Sequence, residues 1–149
     1  MIPTAFAHVA LNCNDPLLIE RYYTQHFGFQ RARVVELGKD QIVFLKLGSF
    51  YLELFKATAA APTPAADKDG PDWPGVRHLA FQVEDVDAKL AEMGSAALVN
   101  LGPFDFHDFI PGWRTVWLAD PEGNVVEVTQ GFCDQTDPPI DAACLAASC

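Results

Sequence analysis

The chain has 149 residues, half of them hydrophobic and a fifth charged, which fits one folded domain with a real core and excludes disorder over most of its length. Its 20 acidic and 10 basic side chains give a formal net charge of −10, which disfavours nucleic acid and anionic membrane as partners because both would be repelled. No segment approaches the roughly 20 apolar residues that span a bilayer, and the opening MIPTAFAH has neither a basic nor a sustained apolar stretch, so a soluble cytoplasmic protein is expected.

In chain order, the first predicted strand lies in HVALN, with Val9 and Leu11 on one face and His8, Ala10 and Asn12 on the other. Asp15 is then a helix N-cap with Pro16 in the first turn; LLIERYYTQHF carries apolar residues at helical spacing, and Gly28 ends it. Three β-rich runs follow, RARVVEL, QIVFLKL and FYLELFK, separated by Gly38-Lys39-Asp40 and Gly48-Ser49. An Ala/Pro-rich connector occupies about residues 58–74.

The second half repeats the first. His8, Ala10 and Asp15 recur as His78, Ala80 and Asp85, each 70 residues later. Leu79, Phe81 and Val83 alternate with His78, Ala80 and Gln82, Asp85 caps VDAKLAEM, and Gly94 stops that helix. The strands AALVNL, RTVWLA and NVVEVTQ follow, the last two joined by the turn Asp120-Pro121-Glu122-Gly123. The order βαβββ thus occurs twice within a single domain spanning residues 1–131, with module one at about 5–57, module two at about 75–130 and a tail at 132–149. A period of this length is too long for a solenoid and points to internal duplication.

The closing strand of each half carries an isolated carboxylate. Glu53 opposes Leu52 and Leu54, and Glu127 opposes Val126 and Val128. One such His or Glu alone is an ordinary strand residue, but two related pairs predict that His8, Glu53, His78 and Glu127 meet about a pseudo-twofold axis, either within one chain or across a dimer. That donor set suits one divalent metal, Zn, Ni, Co, Mn or Fe, with positions left open for water or substrate. Glu127, and after it Glu53, is the carboxylate expected to move a proton.

GPFDFHDFIPGWRTVWL is aromatic, punctuated by Gly and Pro, and placed as a substrate-covering loop would be. Trp113 and Phe109, with Phe104 and Phe106, suit an apolar or aromatic ligand. Arg114, at the start of a strand expected to face the carboxylate-lined cup, either binds an anionic or phenolate oxygen or pairs with Asp105, Asp108 or Glu122, and His107 is either an acid-base group or a loop histidine. The four cysteines form no C-x-x-C; Cys13 reads as a buried thiol, and Cys133, Cys144 and Cys149 fall in the tail.

The stretches HVALNCNDPLLIERYYTQHFGF, YLELF, RHLAFQVEDVDAKLAEMG and VWLADPEGNVVEVTQ, together spanning about Ala5–Gln130, resemble the vicinal oxygen chelate superfamily. That superfamily includes glyoxalase I, methylmalonyl-CoA epimerase, extradiol dioxygenases, and fosfomycin and bleomycin resistance proteins. The resemblance implies an α+β fold of paired βαβββ modules forming a cupped, incomplete barrel around a metal, commonly in a homodimer. His8, Glu53, His78 and Glu127 fall on its four ligand positions. The His, Glu, His, Glu set is similar to that of bacterial glyoxalase I, which implies a lyase or isomerase acting on a small vicinal-oxygen substrate. Asn12 and Ala57 stand where that enzyme has the Arg and Asn that help hold glutathione, so glutathione itself is not implied. An Fe(II)-dependent ring-cleaving dioxygenase and a non-catalytic drug- or metabolite-binding protein use the same scaffold and are the alternatives.

Overall fold

A computed structural model describes residues 2–138. Cys144, Cys149 and the rest of the tail after residue 138 lie outside the described residues.

Module one contains β1 (Val9–Cys13), α1 (Pro16–Phe27), β2 (Gln30–Leu37), β3 (Asp40–Leu47) and β4 (Phe50–Lys56). Module two contains β5 (Leu79–Gln82), α2 (Val86–Met93), a short 3-10 turn at Gly94–Ala96, β6 (Leu98–Asp105), β7 (Arg114–Ala119) and β8 (Val125–Gln130). Each module folds into one four-stranded sheet, in the orders β1-β4-β3-β2 and β5-β8-β7-β6. The first strand of each module pairs parallel with the last, and the remaining pairs are antiparallel. The βαβββ duplication is therefore reproduced strand for strand.

Local chemistry sets the helix ends. The Asp15 carboxylate accepts from the backbone N–H groups of Leu17 and Leu18 at 3.1 and 3.2 Å, and Gly28 closes α1 at a φ of 74°. Asp85 caps α2 by accepting from Ala88 N at 2.9 Å. The apolar face of each sheet packs on its own helix. Ile19 and Tyr23 of α1 are buried with Val43, Leu45, Leu52 and Leu54, while Val86 of α2 is buried with Val116, Leu118, Val126 and Val128. Each aliphatic side chain so buried contributes about 1.5–3 kcal/mol, which fixes the strand register because a one-residue slip would turn these residues to water.

The modules meet through these helix-side surfaces. The Phe27 and Phe29 rings lie 4.7 and 5.8 Å from that of Phe81. The Glu122 carboxylate in the β7–β8 turn accepts from the backbone N–H groups of Asn14 and Asp15, both at 2.6 Å. The opposite faces carry Glu53 in module one and Glu127 in module two.

The strand expected over residues 96–101 starts and ends later. Gly94–Ala96 forms the 3-10 turn, and β6 runs on to Asp105 through Gly102 and Pro103, which the sequence placed in the loop. Pro103 is tolerated because β6 is the outermost strand of its sheet, and the register shifts between Val99 and Leu101 and between Leu101 and Phe104 absorb the missing donor. Among the described residues no helix is long and apolar enough to cross a membrane.

Candidate metal centre

His8 and His78 immediately precede β1 and β5, and the parallel ladders set Ala10 beside Glu53 and Ala80 beside Glu127. The small alanines leave room for the histidines to reach across. His8 Nε2 lies 3.0 Å from Glu53 Oε2, and His78 Nε2 lies 2.8 Å from Glu127 Oε2. The next strand supplies an aromatic wall in both modules: Phe44 sits opposite Glu53 and Trp117 opposite Glu127. Their ring centroids lie 5.9 and 6.3 Å from those of His8 and His78.

The second pair is the better supported. Glu127 is only 9% exposed, and its Oε1 accepts from the Thr115 hydroxyl at 2.8 Å. His78 Nδ1 lies 2.7 Å from the carbonyl oxygen of Asp69 in the connector. A carbonyl can only accept, so Nδ1 carries the proton, and in a neutral ring Nε2 presents a lone pair to the carboxylate. Two acceptors 2.8 Å apart are held together by a cation between them, a proton or a metal. The spacing suits a metal, because two ligand bonds of about 2.1 Å meeting at about 90° span about 3.0 Å. The connector is held against this histidine by Arg77, whose guanidinium donates to both oxygens of Asp69 at 2.9 and 3.0 Å. Gly70 makes that approach possible: a Cβ there would sit 2.2 Å from the Arg77 carbonyl oxygen.

The expected tetrad is not assembled within one chain. Among the described residues no three His, Cys, Asp or Glu side chains converge. The reason is topological. Each His–Glu pair belongs to its own sheet, and the modules dock through their helix sides, so the two pairs stand apart within the chain.

The nominated substrate-binding residues separate. Trp113 lines a cavity of about 340 Å³ with Ala80, Gln82, Glu127, Thr129 and Phe132, and its indole N–H donates to Thr129 Oγ1 at 2.9 Å. Arg114 was expected to face the carboxylate-lined cup, but it shares its face of β7 with the buried Val116 and Leu118. From there it reaches Asp105 and Asp87 at 2.7 and 3.0 Å. These carboxylates engage its charge, one of them the Asp105 foreseen as a partner. His107 accepts from Gly112 N at 3.1 Å within its own loop, and Phe109 stands exposed at the loop tip.

Thr115 and Trp117 were missed, although the alternation of RTVWLA places both opposite Val116 and Leu118 and so on the Glu127 face. Asp69 had no such signal, because the connector has no periodicity. Cys13 is fully buried, and burial first, then the nearby Glu122, Asp120 and Asp15 carboxylates, push its thiol up to about 12, so it is no nucleophile near neutral pH.

Known proteins share this arrangement of modules. The chain is 29% identical over 125 residues to the uncharacterized protein YwkD of Bacillus subtilis (strain 168), covering 82% of this chain and 93% of that one. The glyoxalase family protein from Enterococcus faecalis superposes with a TM-score of 0.65 at 29% identity, covering 87% of this chain and 99% of its own. Lactoylglutathione lyase from Agrobacterium tumefaciens does so with a TM-score of 0.56 at 27% identity, covering 88% and 96%. The family model described as Glyoxalase/Bleomycin resistance protein/Dioxygenase superfamily matches residues 5–128, and the chain belongs to that superfamily.

Proposed function

We propose that this protein is a metal-dependent lyase or isomerase of the glyoxalase I-like type, acting on a small vicinal-oxygen substrate at sites completed by a second copy of the chain. His8 and Glu53 of one copy and His78 and Glu127 of the other would hold the ion in each of two equivalent sites of a homodimer. Superfamily members typically bind a divalent metal. The observation that carries the reading is the contact between His78 Nδ1 and the Asp69 carbonyl oxygen. His78 Nδ1 is thereby committed, so Nε2 is turned as a ligand toward Glu127. The two-copy reading rests on the separation of the two His–Glu pairs on two different sheets.

A divalent ion held by these four side chains would supply Lewis-acid charge to two neighbouring substrate oxygens. The chain does the rest. Thr115 holds one Glu127 oxygen, leaving the other to face His78 and the cavity, where it can take a proton from substrate carbon and return it to the neighbouring carbon. Trp113 and Phe132 form the apolar wall that orients the substrate and excludes water. Glu53, with the same relation to His8, is the second carboxylate available for proton transfer.

Elemental analysis of purified protein, followed by isomerase and lyase assays on α-hydroxycarbonyl compounds with wild type and Glu127→Gln, tests this reading. One metal per chain, with turnover abolished in a folded Glu127→Gln protein, is expected. Wild-type activity in that variant removes Glu127 as the base. Iron with oxygen uptake on catechol favours the dioxygenase, and lack of any metal with folding unchanged by chelator favours a binding protein.

A further inference from the structure

The open face of the sheet in module one carries a second feature beside His8 and Glu53. Arg31 and Arg33 are two residues apart in β2 and would share a face in a regular strand. A register shift between them breaks the alternation: Arg31 pairs with the buried Leu45, and Arg33 pairs with Phe44. Arg31 is consequently on the helix side, where it donates to Glu20 of α1 at 2.7 and 2.5 Å. Arg33 is turned to the open side, in the cross-strand row Arg33, Phe44, Glu53, Ala10. With neighbouring strands about 4.8 Å apart, its Cα lies about 10 Å from that of Glu53, a distance a small molecule and an arginine side chain can bridge together.

What distinguishes this residue is an unpaired charge on the row that carries Glu53. In a chain of net charge −10, Arg31, Arg77, Lys89 and Arg114 all meet carboxylates. Arg33 has no carboxylate partner among the described residues and is exposed. Lys46, two residues beyond Phe44 on the same face, lies over the Tyr51 ring at 5.4 Å and likewise meets no carboxylate there. The His8–Glu53 face therefore holds two cations whose charge the protein does not itself neutralise.

We infer that Arg33, flanked by Lys46, is the specificity-determining contact for an anionic group on the substrate, a carboxylate separated from the vicinal oxygens by a few bonds. A planar guanidinium binds a carboxylate through two parallel hydrogen bonds, and Phe44 between Arg33 and Glu53 gives the carbon skeleton an apolar floor. This assignment rests on the metal-site reading above. It differs from a role for Arg33 as a charge that merely guards the edge strand β2, which requires no preference among ligands.

The test uses the full-length protein loaded with Co(II) and two probes with the same vicinal oxygens, catechol and 3,4-dihydroxybenzoate, measured by titration calorimetry and by the visible spectrum of the cobalt. Wild type is expected to bind the carboxylated probe about tenfold or more tightly than catechol. Arg33→Ala should lose that preference while its Co(II) affinity and catechol binding stay unchanged, and Arg33→Lys should keep part of it. Cobalt binding with equal affinity for the two probes, or an undiminished preference in Arg33→Ala, overturns the assignment and leaves the metal reading standing. Failure of the wild type to bind cobalt overturns both.

Discussion

The Tyr23 hydroxyl of α1 donates to Asp120 Oδ2 at the end of β7, 3.3 Å away, joining the two modules inside their shared core. Asp120 is 2% exposed and also accepts from Glu122 N, Asn124 N and Asn124 Nδ2. Burial outweighs these four donors and raises its pKa above the ordinary value of 3.8. A carboxyl group with a raised pKa in the folded state binds its proton more readily there than in the unfolded chain. Its stabilising contribution is therefore complete below 3.8 and is lost as pH rises through the folded value. Urea unfolding of wild type and Asp120→Asn from below pH 3.8 up to neutral pH should show wild type losing stability relative to the variant as pH rises. A difference independent of pH contradicts the assignment.

Thr115 acts through Glu127, holding one oxygen while the other faces His78. Thr115→Val keeps the shape of the side chain and removes the donor. Metal affinity, measured by competition with a chromogenic chelator, should fall about tenfold to a hundredfold with the circular dichroism spectrum unchanged. Wild-type affinity in this variant would mean that the hydroxyl serves only the fold.

Cys13 is sealed between β1 and α1 with its thiol pushed up to about 12. Native protein treated with iodoacetamide near neutral pH, then digested and weighed by mass spectrometry, should carry no label on Cys13 and should be labelled on the exposed Cys133. Denaturation should expose both. Rapid labelling of Cys13 in the native state would show that the module interface opens.

Much of this was legible in the sequence because duplication and alternation are local signals. Reading strand faces singled out His8, Glu53, His78 and Glu127, and the structure sets each His beside a Glu, while Asp15, Gly28, Asp85 and Gly94 marked both helices. What failed depends on context that alternation cannot carry. The shift between Arg31 and Arg33 reverses a face without any Gly or Pro to announce it. Arg114 was read as facing a cup, yet its neighbours Val116 and Leu118 already placed it on the helix side, so that signal was present and misapplied. The separation of the two His–Glu pairs depends on how Phe27, Phe29 and Phe81 dock the modules, a long-range packing choice that neither half encodes alone.

The central claim, that each metal site joins module one of one copy to module two of another, is tested most directly by mixing. His8→Ala and His78→Ala are purified separately and should each bind no metal tightly. After the two are mixed and their subunits exchanged, heterodimers contain one intact site built from the unaltered half of each partner. Random exchange then restores about a quarter of the wild-type number of sites, read by metal titration. Restoration near that level is the result predicted; no restoration after verified subunit exchange, or full binding by either variant alone, contradicts the account.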